Sequence, residues 1–213
     1  MPFDVPNEVP PPAEQRKADS GQHRDKLVEE LFPMDLVSGR SAGKIPGSLQ
    51  DHGQIQRMSI PAGWQEGPSS INGAGTSHFR EFHPREDPQV KLCFYYRGLR
   101  TSREAAKNFR DVLDKPPHVL SSAELASLKE TLRDRGNPRD FKVLTAQTED
   151  INGKRVLVVE GTYTGIQQDA RAILVDSDGT GSAVQEIYFQ APKGDYLRYL
   201  KTAKDSMKSI RWK

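Results

Sequence analysis

A thiol, a pair of histidines, an Asp-rich turn and a basic stripe near the C-terminus are the groups in this chain that chemistry would use. Cys93 is the one cysteine. It falls inside an alternating apolar run, where a cysteine behaves as a small hydrophobe, whereas a nucleophilic thiolate needs exposure and nearby positive charge. His78 and His83 lie five apart on one predicted strand and so point to opposite faces. With His23, His52 and His118 elsewhere and no second cysteine, no zinc set forms. Asp176-Ser177-Asp178-Gly179-Thr180-Gly181 opens like a calcium loop, but Ile187 stands at the twelfth position, where a glutamate would be needed. The segment reads as a hairpin turn. No nucleophile elbow or phosphate loop is present. The chain is therefore read as a binding module, not an enzyme, with no cofactor and no metal expected.

The basic stripe is the clearest candidate for function. Residues 193–213 hold seven Lys/Arg against two Asp. Lys201, Lys204, Lys208 and Arg211 recur at helical spacing beside an apolar stripe of Tyr196, Leu200, Ala203, Met207 and Ile210. Such cations suit a solvated face near a helix C-terminus. They also suit docking of an acidic protein surface or of anionic lipid headgroups. Tyr95 and Arg97 join them as candidate partner-binding residues, because both alternate with apolar neighbours on one strand. Nothing in the charge balance calls for nucleic acid; the whole chain is only +2.

These residues need a scaffold, and the chain changes character to supply one. Residues 1–53 hold seven prolines and five glycines, with six Lys/Arg against nine Asp/Glu. They read as a disordered, Pro-rich acidic arm. A short helix over 23–32 is stopped by Pro33, and a linker runs over 38–53. This arm is itself one acidic candidate for the basic stripe. No apolar run approaches the length of a membrane span and no secretory leader is seen. With the lone cysteine, these features give a cytoplasmic expectation.

Residues 54–213 read as one domain of order β-β-β-α-α-β-β-β-β-α. A strand over 55–60 ends at Pro61-Ala62-Gly63-Trp64, with Trp64 plugging the core at the sheet end. Strands follow over 76–83 and 89–97. Ser102 and the Ser121/Glu124 box predict two helix starts. Four closely spaced strands then run over 141–148, 155–164, 170–176 and 183–190. Asn152-Gly153 and Asp178-Gly179 predict tight antiparallel hairpins. Val156–Val159 are apolar on both faces, as in a strand covered on both sides. A last helix is capped by Asp195. The predicted class is α+β: an α/β/α sandwich with a mostly antiparallel sheet flanked by helices.

The Pro-Ala-Gly-Trp exit from the first strand, the helical insertion, the meander and the ending Ser209-Ile210-Arg211-Trp212 resemble the PsbP/DcrB-like superfamily over about residues 54–213. That fold is shared by an extrinsic photosystem II subunit, a Ran-binding nuclear import factor and type VI secretion effector chaperones. The resemblance implies a protein-binding or assembly module. The alternative it leaves is a carrier or chaperone that cradles an apolar ligand or segment against the sheet.

Overall fold

A computed structural model describes residues 47–71 and 77–213. The expected acidic arm, its helix over 23–32 and most of its linker lie outside the described residues.

The main sheet is antiparallel throughout, and short turns join most of its consecutive strands. Its strands are β3 (Trp64–Glu66), β4 (Ser70–Ile71), β5 (His78–Pro84), β6 (Lys91–Arg100), β7 (Phe141–Ile151), β8 (Lys154–Tyr163), β9 (Gln168–Asp176) and β10 (Ala183–Pro192). They lie in the order β3-β5-β6-β10-β9-β8-β7, with β4 beside β5. Asn152 and Gly153 take positive φ, 49° and 84°, at the β7–β8 turn, as the Asn-Gly pair predicts.

Helices cover both faces, giving the α+β architecture expected. Helices α1 (Arg103–Leu113), α2 (Ser122–Ser127) and α3 (Lys129–Leu132) and a 3₁₀ turn (Arg133–Gly136) cover one face. Ser102 caps α1, and Ser121 with Glu124 forms the predicted capping box of α2. Helix α4 (Lys193–Lys208) covers the other face. The two sides of β8 divide accordingly: Val156 and Val158 pack under α4, Leu157 and Val159 under α1–α3. All four are buried, so the unbroken apolar run has its physical cause.

Three local expectations change. The second insertion helix breaks at Leu128 into two pieces and a 3₁₀ turn. Helix α4 starts at Lys193 after Pro192, so Asp195 sits in its first turn instead of capping it. The segment read as the first strand of the sheet belongs to a separate small sheet. There β1 (Ser48–His52) pairs with β2 (Ile55–Ser59), which pairs with the C-terminal β11 (Arg211–Trp212). Residues 48–52, read as linker, are thus strand, and Leu49, Ile55 and Met58 are wholly buried in the α4-side core. The turn between β1 and β2 needs Gly53: its φ is 56°, and any Cβ there would run into the side-chain amide of Gln185. Among the described residues no helix is long and apolar enough to cross a membrane.

Candidate functional site

The basic stripe is reorganised by the fold. Tyr196, Ala203 and Met207 are buried as the helical period predicts, and Leu200 is half-buried against the same core. Lys201 is highly exposed but spent on Asp205, 2.7 Å away one turn along. Lys204 reaches Glu160 at 3.4 Å, a carboxylate that Arg171 also holds. Lys208 is exposed in the last turn of α4, where its charge complements the helix dipole.

Arg211 is not on the helix at all. The chain leaves α4 at Ser209, and Arg211 enters β11 directly opposite Arg57 of β2. Both arginines are exposed, and like charges facing each other across a ladder destabilise it. Among the described residues no carboxylate lies within ion-pair distance of Arg57, Lys208 or Arg211. The four-residue stripe is therefore half neutralised, and its unpaired end gains Arg57. Sequence spacing had no means of finding Arg57, since 154 positions of chain separate it from Arg211.

Arg97, expected at a partner surface, is interior and on the opposite face of the sheet. It is 3% exposed, and its Nε donates to Glu186 Oε1 at 2.6 Å. Arg135 donates from Nη1 to the other oxygen, also at 2.6 Å, and lies over the Tyr188 ring at 4.9 Å. Burial pushes the Glu186 carboxyl up, but the two guanidinium groups outweigh it and hold it at about 2. This arrangement ties β6 and β10 to the 3₁₀ turn above them. Tyr95 is half-buried, edge-on to Phe79 with ring centres 6.4 Å apart. It shares no surface with the α4 cations.

The other chemical candidates are accounted for by packing. Cys93 is buried, and desolvation drives its thiol far above the usual range, so it holds its proton at neutral pH. His83 is buried with Nδ1 2.8 Å from the Pro84 carbonyl oxygen. His78 lies near His52, with ring centres 6.4 Å apart. Asp176 accepts the backbone N–H groups of Asp178 and Gly179, which makes its segment a hairpin turn. Among the described residues no group of three or more His, Cys, Asp or Glu is placed to hold a metal.

One further feature has no sequence signature. A cleft of about 260 Å³ opens where the β1–β2, β7–β8 and β9–β10 turns meet the end of α1. Arg110, Lys154 and Arg155 bring positive charge to it, and Asp114 and Asp176 negative. Arg110 binds both acids, Asp176 at 3.0 Å and Asp114 at 2.9 Å. Arg155 binds Asp150 outside the cleft at 2.6 Å. Lys154 instead donates to the neutral Gln54 Oε1 at 2.8 Å and lies 5.5 Å from the Trp212 ring centre. Burial lowers its pKa, with Asp176 opposing.

No family model matches the chain, and no curated protein matches it. Among solved structures the chain is similar to the solution structure of cyanobacterial PsbP (CyanoP) from Synechocystis sp. PCC 6803. The TM-score is 0.49 at 11% identity, with 85% of this chain and 100% of that chain covered. What this chain does must be read from its own residues.

Proposed function

We propose that the domain is a non-enzymatic protein-interaction module that receives an acidic protein surface on Arg57, Lys208 and Arg211. The observation that carries this reading is the face-to-face placement of Arg57 and Arg211 without a carboxylate between them. A ladder position is normally relieved of like charge, so an exposed, uncompensated pair is costly to keep and complements negative charge from outside. Lys208, three residues before Arg211, extends the cluster onto the helix end. The burial of Cys93 and its strongly raised thiol pKa favour a binding role over thiol chemistry. The reading agrees with the sequence resemblance to the PsbP/DcrB-like superfamily, whose members are implied to be binding or assembly modules.

The test uses the full chain with poly-L-glutamate at low ionic strength, followed by calorimetry. Phosphatidylserine vesicles and duplex DNA run in parallel. Wild type should bind the polypeptide, and added salt should weaken the complex. The double variant Lys208→Glu/Arg211→Glu should lose about tenfold in affinity, the size of one or two charge contacts. Its melting temperature should stay close to wild type, since surface substitutions of this kind perturb stability little. Equal affinity of variant and wild type would remove the assignment. Binding to vesicles or DNA but not to poly-L-glutamate would replace the protein partner with another anionic one.

A further inference from the structure

The geometry points to a modification site at the tip of the β7–β8 hairpin: we propose that Asn152 is a hydrolysable clamp, whose deamidation releases the end of α4 and disables the basic cluster. The consequence for binding rests on the function proposed above; the chemistry does not. Asn152 and Gly153 form the turn, and both are exposed. The hairpin grips the C-terminal end of the chain at two successive residues. The Ile151 carbonyl accepts the Trp212 indole N–H at 2.6 Å. Asn152 Nδ2 donates to the Lys208 carbonyl at 2.7 Å and to the Ile210 carbonyl at 2.6 Å, which uses both of its hydrogens. Those carbonyls flank Ser209, where the chain leaves α4. The last carbonyls of a helix have no partner within it, so the amide supplies what this helix end lacks. Lys208 is itself gripped and Arg211 follows the gripped Ile210, so the clamp sets two of the three cations of the cluster.

Asn-Gly is also the pair in which an asparagine most readily loses its side-chain amide. The Gly153 backbone nitrogen attacks Asn152 Cγ. The new N–Cγ bond forms, the Cγ–Nδ2 bond breaks, and ammonia leaves with the Gly153 amide proton. Water then opens the cyclic imide to aspartate or isoaspartate. The net change is one water taken up and one ammonia released, and no other reactant is needed. Glycine leaves the attacking nitrogen unobstructed, and a Cβ added at Gly153 would meet nothing within 4 Å, so the turn is open to water. The nitrogen that must leave is the one held by two carbonyls. The closed clamp therefore slows the reaction, and loosening of β11 hastens it. The product carboxylate has no N–H to donate and is repelled by the two carbonyl oxygens it faces. It also brings negative charge to the segment that carries Lys208 and Arg211. Both effects oppose binding of an acidic surface.

The test ages the full chain in mildly alkaline buffer and follows the tryptic peptide containing Asn152 by mass spectrometry. Wild type should convert more slowly than a synthetic peptide of the same sequence, and Trp212→Ala faster than wild type. In Asn152→Asp the amides of Ser209, Ile210 and Arg211 should exchange hydrogen about tenfold or more faster, the worth of two hydrogen bonds. Its affinity for poly-L-glutamate should fall about tenfold. Asn152→Gly keeps a residue that accepts positive φ and adds no charge, so it should match the faster exchange with a smaller loss of affinity. No conversion in the folded chain while the peptide converts, a Trp212→Ala rate equal to wild type, or unchanged exchange in both Asn152 variants would each overturn the clamp. If wild type does not bind poly-L-glutamate, the proposed function fails while mass and exchange still decide the clamp. If wild type binds and Asn152→Asp binds equally, the effect on binding is refuted and the proposed function stands.

Discussion

His52 should make the folded domain sensitive to mild acid, and the size of the effect follows from its surroundings. The residue closes β1 and is 6% exposed. Its ring sits edge-on to Phe94, with centres 6.2 Å apart, and its Nε2 has no hydrogen-bond partner. Burial first, then the charges of Arg80 and His78, lower its pKa from 6.5 to about 4. Folding therefore keeps His52 neutral in a range where the unfolded chain is protonated. The sign follows: stability is fully present above about 6.5 and is lost as pH falls towards about 4. One proton taken up by the unfolded state alone costs about 1.4 kcal/mol per pH unit, so the loss approaches about 3 kcal/mol at most. That is a large share of the roughly 5–15 kcal/mol that holds a domain together. Carboxylates held low, such as Glu186, lose their contribution only below their unfolded values near about 4.3. The His52 contribution thus falls in the interval from about 6.5 to about 4.5, above the range of the carboxylates. Urea unfolding across that interval should show the midpoint falling with pH in wild type. In His52→Phe, which removes this titration and keeps an aromatic ring against Phe94, the slope should be clearly smaller. A wild-type midpoint flat across the interval, or a variant with the same slope, would refute the reasoning.

Two further outcomes test the core. Trp64 is 3% exposed and edge-on to Tyr199 at 6.2 Å, so Trp64→Ala should cost about 3–5 kcal/mol in chemical unfolding. Glu186→Gln would leave the buried guanidinium groups of Arg97 and Arg135 without their shared counter-charge; a loss of about 3–5 kcal/mol is expected by the same measurement.

The parts of the fold that were legible in sequence are those written in local periods. The alternation of Leu92 with Cys93 and Phe94 with Tyr95 gave β6 and its two faces correctly. The unbroken Val156–Val159 run gave a strand covered on both sides, and Asn152-Gly153 gave its turn. Ser102 and the Ser121/Glu124 pair marked helix starts because capping is settled within one turn of chain. The small sheet as a unit was not legible. Its strand β2 reads as a strand over 55–60 but as part of the main sheet, and β1, five residues long, has too short a period to stand out from the polar stretch around Ser48–His52. Its third strand is two residues from the far end of the chain, and its pairing with β2 is settled by tertiary packing alone.

The same distinction explains what happened to the site residues. Helical spacing placed Lys201, Lys204 and Lys208 on one side of α4 correctly, but spacing counts charges without their partners. Asp205 lies within the helix and was visible; Glu160 comes from β8 and was not. Arg211 shares the helical spacing in sequence yet leaves the helix, because the chain turns at Ser209 to bury Ile210 and to give Trp212 a hydrogen bond to the Ile151 carbonyl at 2.6 Å. That turn sets Arg211 against Arg57 and brings Trp212 over Lys154. The basic cluster therefore depends on β11, a two-residue strand. Two residues contribute few ladder bonds of their own, so β11 is held mainly by the burial of Ile210 and the anchored indole of Trp212.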